Sequence, residues 1–361
     1  MTGPLGALED GSLEAALEGV KVLEVCTFIA GPFASLMLAD LGASVTKVEI
    51  FPDGDPFRRM GGAEAGENVV YTNCNRDKEI LFLDPASTED QAEFRRQVAA
   101  ADVLITNWRA SSTASFGLTD EIARELNRGL VWIKLSGYGR SGPLADQPAF
   151  DPVIQARSGV ASVQGVDDTP ELLHFFFADK TAAAFVVSTA LAALVRRERS
   201  GRGAIVDVPM LDSLVYFNFP DVFAHLTVLG DGDAARPQRR RGSQVVRTAD
   251  GWLLVVAVGG RQLADTLAAI GHPEWKEQLL AAAPTDLAPL LYDMLRRELP
   301  KRTNAEWLEE FARRKVPAAP VVDPTGTLVD PQIVHNGTFS ETEHPEFGRI
   351  RTVRFPARES E

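Results

Sequence analysis

The chain has 361 residues, of which 45% are hydrophobic and 24% are charged. This composition is typical of a globular protein, and the length exceeds what one core ordinarily organises, so two lobes are expected. The formal net charge of −13 excludes a general nucleic-acid binder, which would need a basic face.

The first 220 residues alternate short β-rich runs with helical patterns. Strand, helix and strand in this rhythm predict an α/β fold with a parallel sheet covered by helices on both faces. Ligands of such sheets bind beyond the carboxyl ends of the strands. The predicted strands are Val22–Val25, Val45–Glu49, Ile80–Leu83, Val103–Thr106 and Leu130–Leu135, and the helices between them include Pro32–Leu41, Thr88–Ala100 and Thr119–Leu126.

A long helix, Lys180–Arg199, is predicted next, and it should end at Gly201 because glycine adopts the left-handed conformation that closes helices. Residues 230–243 are rich in Gly and Arg and are typical of an exposed connection, with Arg239–Arg241 as a solvated part of it. Further predicted elements are the strands Ala204–Pro209 and Trp252–Val258 and the helices Leu211–Phe219, Gln262–Ile270, 285–298 and 304–314.

The two cysteines, Cys26 and Cys74, lie among apolar or strand-like neighbours, so a disulfide framework is not indicated. A cysteine nucleophile is a weak alternative, because no basic residue is near either thiol in sequence. The acidic N-terminal residues do not resemble a secretory signal, and no run approaches about 20 uninterrupted apolar residues. We therefore expect a cytoplasmic protein with no membrane partner.

Two loops follow predicted strands at the expected ligand edge. Gly31-Pro32 lies outside any G-x-G-x-x-G pattern, which argues against a nicotinamide or flavin site and favours a plain strand-to-helix turn. Asn107-Trp108-Arg109 offers an amide, an aromatic face and a cation, which would suit an adenine and its phosphates; an ordinary loop is the alternative. Four further cations are expected to be solvated on the surface: Arg58, Arg59, Arg76 and Lys78.

Asp179 ends the apolar run Leu172–Ala178 and directly precedes the predicted helix Lys180–Arg199. One interpretation is a helix N-cap, whose carboxylate accepts free N–H groups. The other is a partly desolvated carboxylate that attacks a thioester carbonyl. The apolar character of Phe175–Phe177 favours the core of a strand, with a substrate pocket as the alternative.

No metal site is predicted, because no metal-ligand spacing is present. The patterns HExxH, CxxC and G-x-S-x-G are also missing, which argues against zinc enzymes and the common triad hydrolases. The five histidines are His174, His225, His272, His335 and His344.

Taken together, these segments resemble the family III CoA transferases, also called the CaiB/BaiF family, to which formyl-CoA:oxalate CoA transferase belongs. The similarity extends from about Leu17 to about Pro356 and consists of several blocks in the family's order. The blocks are LEGVKVLEVCTFIAGPFASLMLADLGASVTKVE, GDPFR, NRDKEILFLD, ADVLITNWR, LSGYGRSGPL, PAFDPVIQARSG and ADKTAAAFVVSTALAALVRRERSGRGAIVDVPMLDS, with weaker matches at VPAAPVVD and HPEFG.

The resemblance implies that Asp179 is the aspartate that becomes acylated in these transferases. It also implies an acyl-CoA and a carboxylic acid as substrates, with coenzyme A as a substrate and no permanently bound cofactor. Gly259 and Gly260 are candidates for the family's glycine-rich loop over the active site. The implied CoA contacts are Ile29, Ala30, Leu83, Asp84, Asn107, Trp108, Arg109, Ala149, Phe150 and Asp151.

Four departures from the family pattern are present. Ile29 replaces a glutamine of formyl-CoA transferase-like members, and Ser111-Ser112 replace the usual Pro-Gly. The family's terminal segment, with its last helix, does not follow within these 361 residues. The related α-methylacyl-CoA racemases have a catalytic histidine where this chain has Phe150.

A homodimer of interlocked chains is the assembly that the resemblance implies. Each large lobe is then Rossmann-like, and the smaller lobe is an αβ unit. The expected divisions are 1–225 for the N-terminal part of the large lobe, 226–245 for a linker, 246–320 for the small lobe and 321–361 for a segment that returns to the large lobe. A racemase-like isomerase and a non-catalytic CoA-binding homologue are the alternative functions.

Overall fold

The computed structural model describes residues 13–60, 67–165, 169–229 and 244–357. These residues form two compact units. Unit 1 comprises the described residues up to 229 together with those from Thr338 onward, and unit 2 comprises those from 244 to Gly337. Residues 321–337, which were expected in the return segment, therefore lie in unit 2. The arginine run 239–241 falls outside the described residues.

Unit 1 is built on a six-stranded parallel sheet, which confirms the predicted α/β class. The strands are β1 (Lys21–Val25), β2 (Ser44–Ile50), β3 (Glu79–Leu83), β4 (Val103–Thr106), β5 (Val131–Ser136) and β6 (Ala204–Pro209). Their order is β3-β2-β1-β4-β5-β6, and every neighbouring pair is parallel. The order reverses between β1 and β4, which is where ligands of doubly wound sheets bind.

The central strands are covered on both faces. All four residues of β4 are buried, as are the last four of β1, which are apolar except for Glu24, and such mostly apolar runs are typical of parallel strands covered on both sides. The helices of unit 1 are α1 (Ala30–Ala39), α2 (Val69–Asn75), α3 (Thr88–Ala100), α4 (Ala110–Ser115), α5 (Asp120–Leu126), α6 (Asp151–Arg157), α7 (Val160–Gln164), α8 (Phe177–Ser200) and α9 (Met210–Val222).

Helix α8 packs against α1 and ends at Gly201, which has a φ of +65° as the predicted helix stop requires. By length and composition α8 is apolar enough to cross a membrane, although the sequence had suggested no such segment. Half of its most apolar stretch is buried inside the protein, as in the core helices of water-soluble proteins.

Unit 2 contains a small antiparallel sheet and six helices. Its strands, in the order β7-β8-β9, are β7 (Val245–Arg247), β8 (Trp252–Val255) and β9 (Ala318–Pro320). Strand β8 is shorter than the predicted 252–258, because the chain turns toward Gly259, whose φ is +88°. The helices are α10 (Gly260–Ala269), α11 (Trp275–Ala281), α12 (Pro284–Glu298), α13 (Asn304–Arg313), α14 (Pro324–Leu328) and α15 (Pro331–His335).

A hairpin late in the chain belongs to unit 1. It consists of β10 (Phe339–His344) and β11 (Gly348–Val353), paired antiparallel. Phe355 packs against the main core of unit 1, and Arg76 donates a hydrogen bond to the carbonyl of Val353 at 3.2 Å.

Candidate active site

The ends of β1 and β4 are joined through Asn107. Its Oδ1 accepts a hydrogen bond from the N–H of Thr27 at 3.0 Å, and its Nδ2 donates to the carbonyl of Thr27 at 2.8 Å. The amide predicted to contact adenine therefore also fixes the β1–α1 loop at the point where the strand order reverses.

A cavity of about 150 Å³ lies at these strand ends. Trp108 contributes to its wall and stacks on Phe116 at a centroid distance of 5.8 Å. Arg109 is exposed and has no ion-pair partner among the residues that the structure describes. An aromatic wall and a free cation beside a small cavity are features suited to a base and a phosphate. The remaining lining residues are Cys26, Thr27, Val48, Glu49, Ile50, Gly54, Asp55 and Pro56.

The β1–α1 loop has an unusual backbone at Phe28, whose φ is +67°. A non-glycine residue in this region is strained and persists only where its surroundings hold it, which is common at binding sites. Here the N–H of Phe28 donates to Oδ1 of Asp55 at 3.2 Å. Ile29 and Ala30, both predicted to contact CoA, are buried, and the Ile29 side chain packs in a small cluster with Phe57. Ile29 can therefore offer a ligand little beyond its backbone.

A buried ionic network supports this loop. Nζ of Lys47 lies 2.7 Å from Oε1 of Glu24 and 3.1 Å from Oδ2 of Asp55, and all three side chains are inaccessible to solvent. Lys78, expected on the surface, is instead fully buried 2.7 Å from Oε2 of Glu24. Burial lowers the pKa of Lys78 to about 8, while the two lysines hold the pKa of Glu24 at about 2.

The other predicted surface cations have different fates. Arg58 is only partly exposed and pairs with Glu49 at 2.8 Å and with Glu67. Arg76 is largely covered and pairs with Asp40 at 2.7 Å, whereas Arg59 is exposed as expected. Sequence reasoning missed these pairs because Glu49, Glu67 and Asp40 lie 9 to 36 residues from their arginines, too far apart to share a local pattern with them.

The predicted contacts Leu83 and Asp84 lie at the carboxyl end of β3. The carbonyl of Leu83 accepts a hydrogen bond from the N–H of Phe51 at 3.0 Å. Oδ1 of Asp84 accepts from the N–H of Ala86 at 2.8 Å, which shapes the turn before α3. These two residues therefore border the same edge of the sheet as the β1–α1 loop.

Asp179 lies in the first turn of α8, which begins at Phe177 rather than at Lys180. The N-cap interpretation is therefore wrong: the cap position is Phe176, and Phe177 and Ala178 already belong to the helix. Helix α8 runs back across the sheet before β6, so it begins at the carboxyl edge of the strands. Asp179 and the β1–α1 loop thus share that edge.

Two residues of α6 hold the start of α8 in place. Oδ2 of the buried Asp151 accepts a hydrogen bond from the N–H of Asp179 at 3.0 Å. Nε2 of Gln155 donates to Oδ1 of Asp151 and to the carbonyls of Leu173 and Phe175, and its Oε1 accepts from the N–H of Leu173 at 2.9 Å. Sequence reasoning missed Gln155, although its place one helical turn after Asp151 put both on one face of α6.

The pKa of Asp179 is raised to about 7, first by burial and second by the negative charge of Asp151, while Lys180 opposes the shift. A carboxyl group with a pKa near neutrality in a partly desolvated position is a common property of reactive sites. Once ionised, this carboxylate is a stronger nucleophile than an ordinary aspartate in water.

Four phenylalanine rings form a row that includes the residues directly before α6 and α8. The row Phe150, Phe28, Phe57 and Phe176 has successive centroid distances of 5.3, 5.9 and 6.4 Å. The strand-core interpretation of Phe175–Phe177 is wrong, because residues 169–176 form no strand and Phe175 and Phe176 are exposed. The fourth ring, Phe150, immediately precedes Asp151, and Ala149 packs against Gly137 in the loop after β5.

Neither thiol is a candidate nucleophile. Cys26 and Cys74 are free and buried, and burial raises the pKa of both, that of Cys74 to about 11. Among residues 13–60, 67–165, 169–229 and 244–357, no group of three or more His, Cys, Asp and Glu side chains is placed to hold a metal ion.

Comparison with known proteins identifies the family. The sequence model of CoA-transferase family III matches residues 17–361. The chain belongs to that family. It is accordingly a CoA-transferase, as the resemblance had implied.

Named relatives of this CoA-transferase act on several acids. The succinate–glutarate CoA-transferase of Agrobacterium fabrum is 32% identical over 94% of the chain and 88% of the relative. The human succinyl-CoA:glutarate CoA-transferase is 28% identical over 92% of the chain and 78% of the relative. The acetyl-CoA:oxalate CoA-transferase of Acetobacter aceti is 29% identical over 85% of the chain and 80% of the relative.

Solved structures give the same result for the fold. A CaiB/BaiF family protein from Brucella suis has a TM-score of 0.81 at 27% identity, covering 95% of this chain and 92% of that one. A hypothetical protein from Mycobacterium tuberculosis has a TM-score of 0.80 at 26% identity, covering 95% and 93%.

Gly259 and Gly260 of this CoA-transferase lie in unit 2. Gly259 precedes α10 with a φ of +88°, and a side chain added at either glycine would meet no atom within 4 Å. Their assignment to the family's glycine-rich loop stays a prediction.

Proposed function

We propose that this enzyme moves coenzyme A from an acyl-CoA donor to a free carboxylic acid through covalent intermediates on Asp179. One observation carries the proposal: a partly buried carboxylate, held beside Asp151, stands in the first turn of α8 at the ligand edge of the sheet. The predicted CoA contacts at Asn107–Arg109 lie at the same edge, which is consistent with a thioester reaching Asp179.

The proposed cycle begins when the Asp179 carboxylate attacks the donor carbonyl, forming an aspartyl–acyl anhydride and expelling CoA thiolate. The thiolate attacks the aspartyl carbonyl, which gives an aspartyl-CoA thioester and releases the donor acid as a carboxylate. The acceptor carboxylate then attacks this thioester and expels the thiolate again. Attack of that thiolate on the acceptor's acyl carbon forms the new acyl-CoA and regenerates Asp179.

The protein must stabilise the oxyanion that forms at each attack and exclude water from the anhydride. The first N–H groups of a helix have no intrahelical partner, so those of Ala30 and Gly31 at the start of α1 are candidate oxyanion donors. In this proposal the two N–H groups take the role of the side-chain amide that formyl-CoA transferase-like members have at the position of Ile29. Each such donor is typically worth about 3–4 kcal/mol of transition-state stabilisation.

The CoA phosphates must be held by local cations, because the chain as a whole carries a net charge of −13. Arg109 is the candidate among the predicted contacts, since it is exposed and free of carboxylate partners among the described residues. Trp108 offers a ring for the adenine.

A racemase mechanism needs two acid/base groups flanking the α-carbon of the substrate. At the position of the racemase histidine this chain has Phe150, which cannot exchange a proton. Transfer is therefore the better supported reaction.

The proposal is tested by incubating the enzyme with a panel of acyl-CoAs and ¹³C-labelled free acids and measuring labelled acyl-CoA by mass spectrometry. Label should enter the thioester without ATP. Hydrolysis alone, or rapid uptake of deuterium at the α-carbon of a 2-methylacyl-CoA without exchange of acids, would overturn the transferase assignment.

The proposal includes a cytoplasmic location, an interlocked homodimer with Rossmann-like large lobes and no resident cofactor. The two free, buried cysteines agree with a reducing compartment. The discontinuous make-up of unit 1, which takes in residues from Thr338 onward, agrees with a chain that returns to its large lobe.

A further inference from the structure

On the basis of the proposed function, we infer that the acid handled at Asp179 is a monocarboxylic acid whose chain ends in an aryl group, and not a dicarboxylic acid. The observation is the aromatic row, defined as Phe150, Phe28, Phe57 and Phe176, whose rings contact one another in that order.

Each end of the aromatic row lies near Asp179, one along the chain and the other through a single hydrogen bond. Phe150 immediately precedes Asp151, whose carboxylate bonds the backbone of Asp179, and Phe176 is three residues before Asp179. An acyl carbonyl placed for attack by Asp179 must extend its chain within a few atoms of this carboxylate. The chain therefore meets phenyl rings first.

Two rings of the row are available to a ligand. Phe150 is 53% exposed and Phe176 is 40% exposed, whereas Phe57 is buried behind them. Apolar surface that leaves water on binding favours apolar ligands, and aromatic rings pack well edge to face, as Phe28 and Phe150 already do at an interplanar angle of 84°.

A second carboxylate would need a cation, and the cations of the segments that carry Phe28 and Phe57 or support them are already paired. Arg58 pairs with Glu49 and Glu67, and Lys47 and Lys78 are buried against Glu24. Lys180 directly follows Asp179 and has no carboxylate partner among the described residues, and its Nζ lies 5.4 Å from the centroid of the Phe175 ring. Lys180 is therefore the residue through which a dicarboxylate could still bind, and the experiment must test it.

The exposed rings of the row could instead be covered by a second copy of the chain. Two observations on Phe28 favour the acyl group: it lies in the β1–α1 loop at the switch point of the sheet, where ligands bind, and its φ of +67° is a strained value that is common at binding sites.

The test is self-exchange, in which an acyl-CoA reacts with its own ¹³C-labelled acid, so that no second substrate need be known. Three pairs are compared at pH 8.5: 3-phenylpropionyl-CoA with 3-phenylpropionate, glutaryl-CoA with glutarate, and propionyl-CoA with propionate. We expect kcat/KM for the aryl pair to exceed that for glutarate by at least about tenfold, since differences in apolar packing are worth about 10–200-fold in specificity.

Phe176→Ala should lower aryl exchange about tenfold and leave propionate exchange unchanged, and Phe150→Ala should lower aryl exchange about tenfold more than it lowers propionate exchange. Lys180→Met should leave aryl exchange unchanged. Phe219→Ala is the matched control, because Phe219 is also exposed but stacks on Phe223, outside the row.

Faster exchange of glutarate that is lost in Lys180→Met would overturn the inference while leaving the transferase intact. Equal losses for all three pairs in Phe150→Ala and Phe176→Ala, together with a fall in molecular mass, would overturn it in favour of a subunit interface. Failure of all three acids to exchange, or exchange that survives Asp179→Asn, would instead refute the proposed function.

Discussion

The backbone N–H of Asp179 donates a hydrogen bond to Oδ2 of Asp151 at 3.0 Å, so the Asp151 carboxylate of α6 lies against the first turn of α8. This contact fixes the start of α8. The negative charge that accepts the bond also raises the pKa of Asp179. One side chain therefore holds the proposed nucleophile in position and adds to the rise in its pKa that burial begins.

Asp179→Asn should abolish CoA transfer and still bind CoA, because the predicted adenine and phosphate contacts lie elsewhere. In the wild type, incubation with a competent acyl-CoA should leave an adduct on Asp179 that hydroxylamine or borohydride traps, detectable by peptide mass spectrometry. Asp212→Asn is the matched control, since Asp212 is also the third residue of a helix, α9, and is exposed. Near-normal turnover in Asp179→Asn would contradict the mechanism.

The rate of transfer should rise with pH through about 7, because the nucleophile is the carboxylate and the pKa of Asp179 is about 7. Below that pH the group is protonated and the rate falls. Asp151→Asn should move the midpoint of the kcat/KM profile to lower pH, since it removes the neighbouring negative charge. It should also lower kcat, because Asn has one acceptor oxygen where Asp151 uses two. An unmoved midpoint would contradict an effect of the Asp151 charge on the pKa of Asp179. The control variant Asp212→Asn should leave the midpoint where it is.

Glu24→Gln should destabilise the protein strongly. Glu24 is buried and accepts hydrogen bonds from Lys47, Lys78 and Ser35, so its loss leaves two buried cations poorly compensated. Breaking a buried ion pair from one side costs about 3–5 kcal/mol. The free energy of unfolding is measured by urea titration, with Glu93→Gln as control, because its partly exposed pair with Arg96 is worth at most about 1 kcal/mol.

The wild-type contribution of Glu24 should also depend on pH. Its pKa in the folded protein is about 2, below the ordinary 4.5, so the stabilisation is present above pH 4.5 and is lost as the pH falls toward 2. Equal pH dependence in Glu24→Gln and the wild type over this range would contradict the assignment.

Gly31→Ala should destabilise unit 1, although replacing a helical glycine by alanine usually stabilises by up to about 1 kcal/mol. The added Cβ would lie 2.5 Å from Cβ of Cys26 and closer still to its Sγ. The thiol donates to the carbonyl of Ile105 at 3.4 Å inside the core, so it has little room to move. We expect a loss of about 1–3 kcal/mol in thermal or urea unfolding. Gly260→Ala in α10, where the added Cβ would have no atom within 4 Å, should cause no loss of stability.

Light scattering at low micromolar concentration should report about twice the chain mass of 39.2 kDa. Interlocked chains bury more surface than the roughly 2,000 Å² at which obligate interfaces begin, so folding and association should be inseparable on dilution. A folded monomer with normal activity would contradict the interlocked arrangement.

The regular parts of the fold could be predicted because they depend on local patterns. Strand Val103–Thr106 and helix Thr88–Ala100 have the predicted bounds, since the first is a continuous apolar run and the second begins after the capping residue Ser87. The family blocks then predicted a CoA-transferase, which the comparisons confirm.

The environment of the site could not be predicted in the same way. Lys78 seemed an ordinary surface lysine because its partner, Glu24, is 54 residues away in the chain and meets it only in the folded sheet. The start of α8 was misplaced because Phe175–Phe177 look like a strand in isolation, whereas Gln155 holds the preceding residues in an irregular segment through their backbone. Neither contact leaves a local pattern.

The hairpin of β10 and β11 has a consequence for synthesis on the ribosome. Unit 1 is completed by residues that leave the exit tunnel only after all of unit 2 has been translated. Until then the nascent sheet lacks Phe355 against its core and lacks the Val353 carbonyl for Arg76. The early part of the chain is therefore without these two contacts while about a hundred further residues are added.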